Sequence, residues 1–141
     1  MDRDFDELRI LKREGFFGSI PPVMAILRGT TPQSSANFST PFFTADRTYE
    51  VLGANERHEV AATDGSVDIV KVASGVAPSS GTTVLASALP LTGTANTNQT
   101  AIVSAVDGNK ILNKDESLAL NATGLLTSLQ GETIAVFLKA I

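Results

Sequence analysis

Hydrophobic and polar positions divide the chain into three stretches with different periods. In residues 2–13, Phe5, Leu8 and Leu11 recur three apart. They fall within one broad helix face, and Asp4, Asp6 and Glu7 lie in the first turns, where the helix dipole favours negative charge. Gly15 ends the pattern. A helix this short is marginal alone, because nucleation costs more than a few hydrogen bonds return, so it is expected to form where its apolar face docks.

From residue 16 to 41 no period holds. Gly18, Pro21, Pro22, Gly29, Pro32 and Pro41 break regular structure, and each residue before a proline is pushed towards extended geometry. Phe16, Phe17, Ile20, Val23, Met24, Ile26, Leu27 and Phe38 nevertheless fill this stretch, too many large apolar groups for a solvated linker. The reading is an extended arm over 1–41, with a helical turn near 23–28, that docks on neighbouring subunits. Packing of the arm on its own domain is the alternative.

After Pro41 the period becomes two. Short runs of Val, Ile, Thr, Ala and Leu alternate with Gly, Asn, Asp, Ser and Pro clusters, predicting strands at 42–45, 48–52, 57–63, 67–73, 82–89, 100–105, 117–123 and 133–139. Leu118, Leu120 and Ala122 point one way, with Ala119 and Asn121 opposite. Phe137 lies opposite Ile134, Val136 and Leu138, so the last strand is central or covered on its second face. Apolar parity switches between Ile69 and Val70, which suggests a bulge. Asp64-Gly65 and Asp107-Gly108 are hairpin-type turn signals. The expected fold is all-β: a jelly-roll β-sandwich of about eight strands over 42–141, preceded by the arm, with an immunoglobulin-like sandwich as the alternative.

Charge sharpens this division. Of the 26 Asp, Glu, Lys and Arg residues, ten lie in residues 1–28, and none lies in residues 72–106. That charge-free run is rich in Ser and Thr, and reads either as small-residue β structure or as a surface for protein contact, where charge is depleted at the buried centre. A net charge of −4 argues against nucleic-acid or anionic-membrane binding. No apolar run approaches the roughly 18 residues of a membrane span. The first 14 residues are charged, unlike a signal peptide.

Candidate chemistry is sparse. With no cysteine, disulfides, thiolate nucleophiles and Cys-ligated zinc are excluded. His58 is the only imidazole, on an expected strand face with Val60 and Ala62. One histidine without a His-x-His pair does not supply the ligands of a cupin-type metal site, so no metal, cofactor or catalytic residue is expected, and His58 is read as a rim or interface residue. Asp107, Asn109 and Asn113 offer oxygens to calcium, but the spacing is not that of an EF-hand and Lys110 and Lys114 interleave positive charge. A solvated turn accounts for the same residues. Three Asn-x-Ser/Thr triplets begin at Asn37, Asn98 and Asn121, a frequency that chance supplies.

The segments at 42–52, 67–72, 78–85, 111–120 and 134–139 together resemble the jelly-roll decoration or cement proteins of tailed-bacteriophage capsids. In that family a Lys-Gly-Asp turn often precedes a Leu-x-Leu strand, whereas this chain has Lys114-Asp115-Glu116. The resemblance implies a non-enzymatic virion protein on the outer capsid surface. It would bridge major capsid subunits, associate with itself as a dimer or trimer, and need no cofactor. The arm anchors would be Phe5, Leu8, Leu11, Phe16, Phe17 and Ile20. A receptor- or glycan-binding β domain of a phage fibre or adhesin is the alternative function.

Overall fold

A computed structural model describes residues 23–27 and 38–141. The expected helix at 2–13 and all six arm anchors, Phe5, Leu8, Leu11, Phe16, Phe17 and Ile20, lie outside the described residues.

The described chain is all-β. Ten strands run in order: β1 Val23–Leu27, β2 Pro41–Thr44, β3 Tyr49–Arg57, β4 Ser66–Val72, β5 Thr82–Thr83, β6 Leu89–Pro90, β7 Gln99–Ala101, β8 Ile111–Leu112, β9 Ser117–Thr123 and β10 Glu132–Ala140. They form two five-stranded sheets. One has the order β1-β10-β3-β7, with β8 also on β3; the other has β2-β9-β4-β5, with β6 also on β4. Every pairing is antiparallel.

Strand faces explain the layering. Val67 and Ile69 of β4 and Leu118, Leu120 and Ala122 of β9 point from one sheet into a core shared with Val51 and Ala54 of β3 and Ile134, Val136 and Leu138 of β10. Each fully buried Leu, Ile or Val contributes roughly 1.5–3 kcal/mol from removal of apolar surface from water. β10 is central, between β1 and β3, one of the two arrangements expected from Phe137. Phe137 covers the outer face at Gly53, where an added Cβ would stand 3.9 Å from its ring.

Several expectations are corrected. Residues 23–27 pair with β10 as an extended strand, not a helical turn. Phe38 is fully buried in the core, so it anchors the chain to its own body. β4 has no bulge: its register with β9 runs unbroken from Ser66↔Thr123 to Val72↔Ser117. Its parity switches because both faces are covered. Val70 and Val72 pack with Ala119 on the outer face. Gly81 sits over them, and a Cβ there would lie 2.7 Å from Val72. The two Asp-Gly signals form turns but not hairpins. Asp64-Gly65 leads into β4 with Gly65 at φ +107°, and Asp107-Gly108 opens a 3-10 turn.

One bulge falls instead in β3, and the β2–β9 register also shifts, between Pro41 and Phe43. The β3 register with β10 passes from Phe137↔Gly53 to Leu138↔Val51, so Leu52 is an extra residue. The extra residue shifts the strand's parity. Tyr49 and Val51 are buried before it, Ala54 and Glu56 after it.

Candidate functional site

The parity shift turns two polar side chains inward. Were Leu52 an ordinary paired residue, the positions facing the core beyond Val51 would be 53, 55 and 57. With the bulge they are 54 and 56, and His58 follows directly past the strand end. On the neighbouring strand Ile134 stands opposite Glu56, so Glu132, two residues earlier on the same face of β10, reaches the same end of the sheet. Glu56, His58 and Glu132 are buried together, each no more than 1% exposed.

Their contacts are specific. His58 Nδ1 lies 2.7 Å from Glu56 Oε1 and 3.9 Å from Glu132 Oε2. The other ring nitrogen, Nε2, lies 2.9 Å from the Gly93 carbonyl oxygen, to which it donates. The backbone amide of Asn96 donates to the His58 carbonyl at 2.7 Å, so the 93–96 turn is latched to this residue twice. Gln99, at the start of β7, donates its side-chain amide to Glu56 Oε2 and to the Pro90 carbonyl oxygen. Glu56 therefore has both oxygens engaged.

Glu132 does not. Both its carboxylate oxygens are buried without a hydrogen-bond partner. Burial first, then the Glu56 carboxyl beside it, push its pKa up from 4.5 to about 10. As an ionised group it has nothing to accept from; as a neutral acid it can turn its proton towards Glu56. One ligand atom from each of the three residues lies within 4.8 Å of the others, and this is the one such grouping of potential metal ligands among the described residues.

Sequence reasoning singled out His58 but not its partners. His58 does sit at a strand end, but it is fully buried, whereas a rim or interface residue is exposed in the free chain. Val60, expected to share its strand face, is exposed and makes only an isolated bridge to Gln130. The spacing of Glu56 and His58 at i, i+2 was visible. Glu132 lies 74 residues beyond His58 and is brought there by strand pairing alone.

The acidic turn at 107–116 resolves into local contacts. Asp107 is 3.7 Å from Lys110, Asn109 approaches the Ser104 hydroxyl at 3.5 Å, and Glu116 accepts the Asn113 amide at 2.7 Å. Lys71 donates to the Gly108 and Ile111 carbonyl oxygens at 2.7 and 2.8 Å, fixing the turn from β4. Asp115 takes φ +73° and closes the turn by donating its amide to the Ala45 carbonyl oxygen at 2.9 Å.

The charge-free run is largely surface. Ser74–Ala77, Ala86–Ala88 and Thr94–Asn98 are exposed, and Ile102 and Val106 are 75% and 61% exposed. A shallow cavity of about 250 Å³ lies on the outer side of the first sheet, lined by Asn55, Arg57, Asn98, Thr133 and Ala135 together with Glu56. No protein-family model, curated protein or solved structure matches the chain.

Proposed function

We propose that this chain is a structural protein of a tailed-bacteriophage particle, a decoration or cement protein on the outer capsid that bridges major capsid subunits and associates with itself. The fold we assign it is a jelly roll. Strand order supports that assignment. β1 pairs with β10, β2 with β9, β3 with β7 and β8, and β4 with β5 and β6, a fully nested set in which successive long strands change sheets. Counting β5 with β6 and β7 with β8 as interrupted single strands gives the eight of two interlocked Greek keys.

The observation that carries the functional reading is the exposed, uncharged surface of residues 73–106, with Val76, Ile102 and Val106 on it. Charge depletion and exposed apolar groups are what a protein–protein contact buries. Many such modest contacts, repeated over one shell, act together. The arm ahead of β1, with Phe5, Phe16 and Phe17, would lengthen each contact.

The test is binding to particles assembled without this chain. The truncation must stop before Val23, because removing residues 1–41 would also take β1 from β10, Phe38 from the core and the Ser39 hydroxyl from the Ala122 amide. Full-length protein should coat the shell at sites between capsomers, and the chain lacking residues 1–22 should fold but bind more weakly. Labelling of fibre tips, or binding to a glycan array with no coating of shells, would favour the receptor-binding alternative and sink the cement reading.

A further inference from the structure

We propose that Glu56, His58 and Glu132 form a buried site for one divalent zinc ion, which ties the end of β3 to the start of β10. This is independent of the capsid reading.

Three independent features point to a cation. Glu132 is buried, aimed into the cluster, and has neither oxygen satisfied. Ionised, Glu132 would be an unpaired buried carboxylate, among the most unfavourable groups a core can hold, and a bound cation would satisfy it. His58 is already set as a ligand. Its Nε2 proton goes to the Gly93 carbonyl, which leaves Nδ1 facing both carboxylates. A backbone carbonyl on the far ring nitrogen is how metal-bound imidazoles are commonly oriented. Glu56 has the corresponding outer support, with Oε2 held by Gln99 and Oε1 turned to Nδ1.

The distances suit a small ion. With ligand atoms about 2.0–2.2 Å from zinc, neighbouring ligands of a tetrahedral site are about 3.4 Å apart. The observed 2.7 and 3.9 Å from Nδ1 to the two carboxylates bracket that value, so small rotations of the carboxyl groups suffice. Two carboxylates balance the charge of a divalent ion, leaving the core neutral. The donor set excludes calcium and magnesium as good occupants: those ions take six or more oxygens, and here one donor is an imidazole. A water would complete the tetrahedron, and burial of all three protein ligands keeps substrates away from it, so the ion would be structural.

The experiment uses the untagged full-length chain, unfolded in urea and refolded with either zinc chloride or EDTA. Elemental analysis after dialysis should find one zinc per chain in the first sample. Zinc at 100 times its dissociation constant should raise the folded-to-unfolded ratio about 100-fold over EDTA. Glu132→Gln should weaken zinc binding at least about tenfold. Because His58 is the only histidine, its side-chain nitrogen spectrum reports the site without any variant. The Nδ1 resonance should move on zinc addition while Nε2 keeps its proton. Failure to retain zinc, equal binding by Glu132→Gln, or bound zinc with an unmoved Nδ1 resonance would each overturn the proposal. The last of these would assign the ion to surface carboxylates.

Discussion

The β4–β9 pair and the β3–β10 pair form the two middles of the sheets and differ in one respect. β4 and β9 run in unbroken register, and their fully buried inward side chains are apolar, with Lys71 on the same face only at the rim, where it donates to the Gly108 and Ile111 carbonyl oxygens. β3 and β10 slip by one residue at Leu52, and past the slip the inward positions carry Glu56 and Glu132, with His58 beyond them. Regular pairing yields a wall of the core. A single added residue, by exchanging the faces of β3, turns Glu56 and His58 inward, where they meet Glu132, which shares the face of Ile134, Val136 and Leu138 by plain alternation. The lesson is that the polar cluster is a consequence of register and not of local composition.

The sharpest way to break that contrast is to insert one alanine between Gly53 and Ala54. The positions beyond it would exchange faces, so either Tyr49 and Val51 or Ala54 and Glu56 must leave the core. The expected result is loss of cooperative folding, a change above about 5 kcal/mol, seen as the absence of a thermal transition by circular dichroism. A variant with wild-type melting would show that the slip does not set the faces.

On the regular side, Ile69→Ala should cost about 2–5 kcal/mol in urea denaturation, from lost apolar burial and the cavity left behind. The His58 side-chain spectrum should not change, since Ile69 lies on β4, in the sheet that contributes none of the three cluster residues. A perturbed His58 would mean that the two halves of the core are coupled.

The smallest effect is expected at Asp68, also on β4. Burial holds its pKa above 3.8, although the Thr83 hydroxyl donates to it at 2.7 Å. A raised carboxyl pKa gives stability that is complete below 3.8 and is lost as pH rises through the folded-state value. Asp68→Asn, which removes the charge and keeps an acceptor for Thr83, should therefore stabilise the protein at neutral pH by less than about 1 kcal/mol. The gain should vanish in acid, as read by denaturation at matched pH values. A constant difference across that range would contradict it.

Much of the fold was legible where alternation was clean. β9 coincides with its expected span because Leu118, Leu120 and Ala122 mark one face and only Asn121 and Ala119 the other. Phe137 called for a last strand that is central or covered on its second face, and β10 is central. The errors lie where a second cause produces the same pattern. The parity switch at Val70 came from a covered outer face, not from a bulge. The bulge in β3 was hidden because Gly53 and Asn55 look like the end of a strand, so β3 was divided at 52 and resumed at 57. Leu112, Leu126 and Leu129 are fully buried but lie in a two-residue strand or a loop, where no period exists to reveal them. Of the cluster, His58 could be named from the sequence and Glu56 could have been, two residues away. Glu132 could not, because only the pairing of β3 with β10 brings it near.

The account rests most directly on the inward placement of His58, and its imidazole protons measure that. In metal-free protein, the Nε2–H bonded to the Gly93 carbonyl should give a downfield proton signal that exchanges slowly with water and shows a cross-peak to the 93–96 turn. A histidine whose ring protons exchange at once with solvent, with no contact to that turn, would contradict the buried cluster and the register slip that builds it.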